Sequence, residues 1–355
     1  MNLIPGASLL ALALMIPAGP ATAQVDPGAA TPDSTAPWVR RPPQVFGYLQ
    51  FHYRYAFDTG SDTLVDNDNF RVQRVRIGIK GDIYPWLSYD VEIDPRAPTI
   101  QTVLRDAFIE MQVIPRHVIR LGQQKTQFGY ETRVSSSDLY TVNRAELSDA
   151  LARGITLRDL GIGLIGSVKL GPRGLRLEDA ITVVNGAGMN VQADDTPRKN
   201  VSGRLGLRWR KDASDLVARF GVSGSSGDLV DREDPVDPFD DFTLTFRRLG
   251  TDLQVDHRRF FLSAEYITGR HENSATSETE TVSGYYLTLV GKTTRQVGPV
   301  LRYDVLVDEF ERWTFGGYYG APSAPFRVLV NYEYRPLKDG LPGDDKFYLW
   351  TQVRF

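Results

Sequence analysis

The 355-residue sequence has no cysteine, only four histidines and four methionines, and a formal net charge of just -3. Without cysteine there is no disulfide framework, no thiolate metal site and no cysteine nucleophile. The small net charge excludes a polybasic nucleic-acid binder or a polybasic membrane-surface protein, so charge has to be read locally. Beyond the N-terminus there is no apolar run of twenty residues, hence no candidate spanning helix. His52, His117, His257 and His271 are scattered, and no G-x-S-x-G, H-E-x-x-H or P-loop occurs. No enzyme, no metal site and no cofactor are therefore expected.

What is abundant belongs to strands and turns. There are 32 glycines, and aromatics make up 11% of the chain, mostly Tyr and Phe. The N-terminus reads as a signal peptide over residues 1–23. A short apolar core, Leu9 to Ile16, is followed by Pro17, Gly19 and Pro20 and then by Ala21-Thr22-Ala23, an A-x-A cleavage site. No Lys or Arg precedes the apolar core. Residues 24–45 are rich in Pro, Ala, Thr and Asp and read as a flexible periplasmic segment. Residues 46–355 read as one continuous array of strands.

The organising pattern has period two. In Trp86 to Asp94, Leu87, Tyr89, Val91 and Ile93 fall on one face, and Ser88, Asp90, Glu92 and Asp94 on the other. In Val201 to Arg210, Leu205, Leu207 and Trp209 oppose Arg204, Arg208 and Arg210. Such alternation requires one apolar and one wet environment on the two faces of each strand. A soluble sandwich alternates too, but its strands are usually about five or six residues long. These segments run to about nine to eleven, the length of a tilted strand crossing a bilayer. Their polar faces also carry Arg beside Asp and Glu rather than Ser, Thr and Lys alone. The expected fold is all-β: a transmembrane antiparallel barrel of about sixteen strands. Short turns, such as Tyr84-Pro85 and Ile114-Pro115-Arg116, alternate with longer polar links. An even strand count puts both termini in the periplasm. Trp86, Trp209, Phe260, Phe261, Trp313, Phe326 and Phe347 lie near strand ends, as in interfacial girdles.

One link breaks the rhythm. More than thirty residues separate Lys125 from Leu160, after the fifth strand. A loop of that length in a compact fold is usually functional. Folded inward, it would form a constriction, with Lys125, Glu131, Arg133, Asp138, Arg144, Glu146, Asp149, Arg153, Arg158 and Asp159 supplying opposed charges in a narrow aqueous gap. The alternation also assigns an inward face. It should carry Arg54, Arg74, Arg76, Lys80, Arg120, Lys169, Arg204, Arg208, Arg219, Arg248 and Arg302 among the cations. Its acids should be Asp90, Glu92, Asp94, Asp106, Glu110, Asp252 and Glu333. The residues expected to line the pore and set selectivity are Arg54, Arg74, Arg76, Lys80, Arg120, Lys125, Arg133, Arg144, Arg204 and Arg208, with Asp90, Glu92 and Asp106.

Val72-Gln73-Arg74-Val75-Arg76-Ile77-Gly78-Ile79-Lys80-Gly81, then Tyr84-Pro85-Trp86-Leu87-Ser88-Tyr89, form a recognisable block. It is followed by Asp106-Ala107-Phe108-Ile109, Gly122-Gln123, Phe128-Gly129-Tyr130-Glu131, Ser135-Ser136-Ser137 and Arg144, and later by Ser283-Gly284-Tyr285-Tyr286. Together these resemble the phosphate-selective porin O and P family of bacterial outer-membrane porins, most strongly from Arg71 to Arg144. The resemblance implies a homotrimer of sixteen-stranded barrels with anion-attracting Arg and Lys in the lumen. Three positions depart from the family pattern. Gln73 replaces the first Arg of a pair, Thr132 replaces a Lys after the loop Glu, and Tyr48 stands at an earlier lumen Arg. The final strand ends on Phe355 and resembles the C-terminal signal read by the barrel-assembly machinery.

The expected function is an outer-membrane porin: a passive diffusion channel for small hydrophilic solutes that favours anions, with phosphate or polyphosphate among the candidates. Its partners would be outer-membrane lipid, the assembly machinery, two further copies of itself and small anionic solutes, with no nucleic acid. The alternatives are a non-conducting structural or adhesive barrel, or an outer-membrane hydrolase.

Overall fold

The computed structural model describes residues 42–57, 68–97, 102–152, 157–171, 174–191, 194, 196–211, 214–231, 242–273, 276–294, 296–336 and 345–355. They belong to one compact unit, Asp33–Phe355. The expected signal peptide and nearly all of the 24–45 segment lie outside the described residues, as do Arg153 and parts of several long links.

The sixteen strands are β1 (Gln44–Ala56), β2 (Asp68–Tyr84), β3 (Leu87–Ile93), β4 (Leu104–Ile114), β5 (His117–Lys125), β6 (Arg158–Lys169), β7 (Leu175–Val184), β8 (Asn200–Lys211), β9 (Leu216–Asp231), β10 (Phe242–His257), β11 (Phe260–Asn273), β12 (Thr279–Gly291), β13 (Val297–Leu306), β14 (Phe310–Tyr319), β15 (Phe326–Tyr334) and β16 (Lys346–Arg354). Each pairs antiparallel with its sequence neighbours, and β1 pairs with β16, so the sheet closes into a barrel. Closure removes every sheet edge, as a bilayer demands of a β structure. The seam is sealed by reciprocal backbone bonds between Gly47 and Phe355, at 3.0 and 3.1 Å. The number and order of strands are those the alternation predicts. β9 runs on to Asp231, beyond the residues 216–224 that the alternation marks out.

The period-two pattern becomes an inside-out protein. Ile77, Ile79, Val91, Ile109, Ile181, Leu205, Leu207 and Phe220 are exposed on the outer wall, while Arg76, Arg204, Arg208, Asp252, Glu265 and Arg302 are buried on the inner one. Apolar residues outside and charges inside are the arrangement of a barrel solvated by lipid. Short turns gather at one end, helped by positive φ at Arg116 (65°) and by Gly171 and Gly174. At the other end the link between β13 and β14, Val307 to Glu309, is also short, an exception to the expected long links.

The inner wall is not uniformly polar. Ile267, Tyr286 and Leu306 on one part, and Val290, Val300, Tyr318, Leu329 and Trp350 on another, face inward and are buried. What covers them is the long link after β5. Its helix α1 (Glu146–Ala152) buries Leu147, Leu151 and Ala152 against Ile267, Tyr286 and Leu306, together with Phe128. Val142, with Tyr140 and Phe261, covers the second patch. Phe261 therefore faces inward beneath Tyr140, with ring centroids 5.5 Å apart, and is not part of the outer girdle expected of it.

Candidate functional site: the lumen and its inserted loop

The loop begins where β5 loses its regularity. Gly122 has φ +128°, and a Cβ there would lie 2.3 Å from the Ala107 carbonyl, so only glycine fits. From there the chain turns inward and is fastened along β9–β16 and β1. Ser223 accepts a bond from the Gly129 N–H at 3.2 Å. Glu265 accepts the N–H groups of Tyr130 and Glu131 at 2.7 and 3.1 Å. Asn331 accepts the Val142 N–H at 2.8 Å, and Asp304 the Glu146 N–H at 3.0 Å. Arg327 donates to the Ser137 and Leu139 carbonyls, and Arg354 pairs with Asp138 at 2.5 Å. The Tyr48 hydroxyl meets Ser136 at 2.9 Å. Every one of these wall groups is on the inward face, so the loop lies inside the barrel against one half of its wall.

At the centre of this fastening is Glu131, 2% exposed. It takes an ion pair from Arg302 at 2.5 Å and the Ala145 N–H at 2.9 Å. Burial opposes its charge, but Arg302, then Arg144, hold its carboxyl below the ordinary range. Arg144 is itself turned into the loop and donates to the Glu131 and Val134 carbonyls. Lys125 likewise donates to the carbonyls of Thr132, Arg133 and Val134 at 3.2–3.4 Å. Two residues expected to set selectivity, Arg144 and Lys125, thus direct their charge at loop carbonyls. Arg133 donates to Gln127 at 2.9 Å; burial lowers its guanidinium only to about 10, so it stays charged at neutral pH.

The opposite half of the wall, β2–β8, carries most of the remaining expected residues, and many are paired. Arg76 meets Glu92 at 2.9 Å and Asp94 at 3.2 Å. Arg158 forks onto Asp106 at 2.8 and 3.1 Å. Arg120 holds Glu110 at 2.6 Å and lies over the Phe108 ring. Arg204 reaches over to Asp252 on β10 with two bonds, of 2.5 and 2.8 Å. Arg74 donates to Gln50 at 3.0 Å. Lys80 lies exposed over the Phe46 ring, opposite Asp90 in the β2–β3 ladder. Arg54 is half-buried on β1.

Register then reveals what alternation could not. Arg208 is opposite Arg176 on one side and Arg219 on the other, and Arg176 is opposite Lys169. Four cations on four adjacent strands, β6–β9, form one inward row near the short-turn end. Lys169, Arg176 and Arg219 have no ion pair among the described residues. Arg176 was not among the residues singled out from the sequence; its strand begins only at Leu175, which leaves little alternation to read.

The family departures also find places. Gln73 is the extra residue of a bulge in β2, since Gln50 faces Arg74 and Phe51 faces Val72. Thr132 is buried, and its hydroxyl donates to the Phe128 carbonyl at 2.8 Å. On the outer wall His117 lies across Gly166 to meet Asp179 at 3.0 Å, while its other ring nitrogen meets the Pro115 carbonyl. With both ring nitrogens engaged, this outward pair has none left to activate a hydroxyl.

Residues 47–170, from β1 to the end of β6, match the family described as Phosphate-selective porin O and P. The closed sixteen-stranded barrel has the fold of outer-membrane porins. The chain's fold is similar to that of an anion-selective porin from Comamonas acidovorans, at 12% identity with a TM-score of 0.60, covering 88% of this chain and 99% of that one. It is also similar to the trimer form of OmpT from Vibrio cholerae (11% identity, TM-score 0.56, covering 88% and 99%) and to the channel DcaP of Acinetobacter baumannii (16%, 0.54, 88% and 97%). No curated protein sequence matches the porin. The likeness at Ser283 to Tyr286 lies beyond the matched stretch.

Proposed function

We propose that this porin is a passive pore for small hydrophilic solutes with a preference for anions, and not an enzyme. The observation that carries the preference is the imbalance between the two kinds of inward charge. Asp106, Glu110, Glu92 and Asp94 each have an arginine within 3.2 Å. The row of Lys169, Arg176, Arg208 and Arg219 puts cations side by side, and Lys169, Arg176 and Arg219 have no ion pair among the described residues. Like charges directly opposite each other in a ladder are destabilising unless something of opposite sign offsets them. A passing anion does so, and a field of fixed cations in a narrowed lumen raises the local anion concentration.

Reversal potential across a planar bilayer in a potassium chloride gradient tests this. The wild type should pass chloride in preference to potassium, and Arg176→Gln/Arg219→Gln should lose much of that bias at nearly unchanged conductance. A cation-selective wild type would refute the reading. Phosphate added to the same bilayer should reduce the chloride current if phosphate is among the solutes. The resemblance and the trimeric relative support a homotrimer, which crosslinking of the purified porin in detergent would reveal. A mature N-terminus at Gln24 would establish the signal peptide, and deleting Phe355 should impair assembly into the membrane.

A further inference from the structure

The outer wall carries a row that lipid alone does not explain. Arg247 on β10 and Arg270 on β11 are directly opposite each other, both are exposed, and both point outward. Ser226 lies beside Arg247, and Thr281 beside Arg270; both are also exposed. Four adjacent strands thus present hydroxyl, guanidinium, guanidinium and hydroxyl in one line. Neither arginine has an ion pair among the described residues. The acids nearest the row on the same face stand one rung nearer the long links: Asp228, already held by Arg198 at 2.6 Å and by Thr245 at 2.8 Å, and exposed Glu272.

One rung the other way the wall is apolar and indented. That rung reads Gly203, Gly224, Leu249 and Thr268. Leu249 is 67% exposed. Around Gly203, with Ala180, Ile181, Leu205 and Val222, lies a shallow open groove of about 350 Å³, whose border also includes Arg204 and Asp179, the latter held by His117 at 3.0 Å. Strands are spaced about 4.8 Å apart, so Gly203 lies about 10 Å across the sheet from Arg247 and about 14 Å from Arg270, a separation that one two-chain lipid spans.

We infer that this face binds a lipid bearing a phosphate group, with its headgroup on Arg247, Arg270, Ser226 and Thr281 and an acyl chain in the groove over Gly203. Guanidinium pairs suit phosphate because their donors match its oxygens two at a time. Two opposed cations at the top of an apolar band are costly alone and favourable around an anion. The inference rests on the barrel lying in a membrane, and not on the anion preference of its lumen.

The test is native mass spectrometry of the full porin in detergent, with dioleoyl phosphatidic acid, dioleoyl phosphatidylcholine and inorganic phosphate as probes. The wild type should retain phosphatidic acid over phosphatidylcholine. Arg247→Gln/Arg270→Gln should weaken phosphatidic acid about thirty-fold, from about a five-fold effect per cation. Arg247→Lys/Arg270→Lys should keep only part of the binding, the share that charge supplies without the paired donors, and Gly203→Leu should weaken it by filling the groove. Equal retention by the Gln double variant would overturn the inference. So would displacement of the lipid by millimolar inorganic phosphate, which would make the row a site for the free ion. Heat-modifiable gel migration checks that each variant is folded. Conductance and reversal potential of the Gln double variant should match the wild type; a shifted reversal potential would put the arginines in the lumen and refute the placement.

Discussion

Removing the charge of Glu131 while keeping its shape should loosen the inserted loop without unfolding the barrel. Glu131→Gln retains an oxygen for the Ala145 N–H but leaves Arg302, 3% exposed, without its carboxylate. Breaking a buried ion pair by removing one partner costs about 3–5 kcal/mol. The lower figure is appropriate because the loop borders a wet lumen and Arg302 keeps bonds to Thr288 and the Asn143 carbonyl. About 3 kcal/mol raises the population of locally detached loop roughly 150-fold. Single-channel recordings should then show frequent closures or steps absent from the wild type, and limited proteolysis should cut between residues 126 and 157. A second variant, Glu131→Gln/Arg302→Met, removes both charges and should recover part of the loss, because no unpaired ion remains. Quiet wild-type-like recordings from Glu131→Gln, or a double variant whose defect is the sum of the two singles, would refute the argument that this pair holds the loop.

The same carboxyl gives the loop a pH limit. Its folded pKa lies below the ordinary 4.5, so its contribution is complete above that value and is lost as pH falls through the lower folded one. Recordings at successively lower pH should turn noisy only in that acid range, and Glu131→Gln should abolish the transition. Leu151→Ala in α1 removes a side chain packed on Ile267 and Tyr286 and should cost about 2–5 kcal/mol of loop docking, read as increased closure frequency. Gly47→Ala should weaken the β1–β16 seam, because its Cβ would lie 2.2 Å from the Arg76 carbonyl and 2.7 Å from the Phe355 ring. The heat-modifiable form should then melt at lower temperature, and an unchanged melting point would show that the seam relaxes without cost.

Alternation along single strands was enough to establish the barrel, its strand count, the outward and inward faces and the position of the inserted loop. The reason is local: each strand is pleated, successive side chains point to opposite sides, and lipid and water impose opposite demands on them. Which charges meet was not legible. Glu131 and Arg302 are 171 residues apart in sequence, and their pairing depends on how the loop folds back across the lumen. The row of Lys169, Arg176, Arg208 and Arg219, and the outer one of Arg247 and Arg270, depend on the register between neighbouring strands, which the closed ring fixes as a whole. Ile267, Leu329 and Trp350 break the expectation of a polar interior for the same reason: only in three dimensions does the loop lie over them and keep them dry.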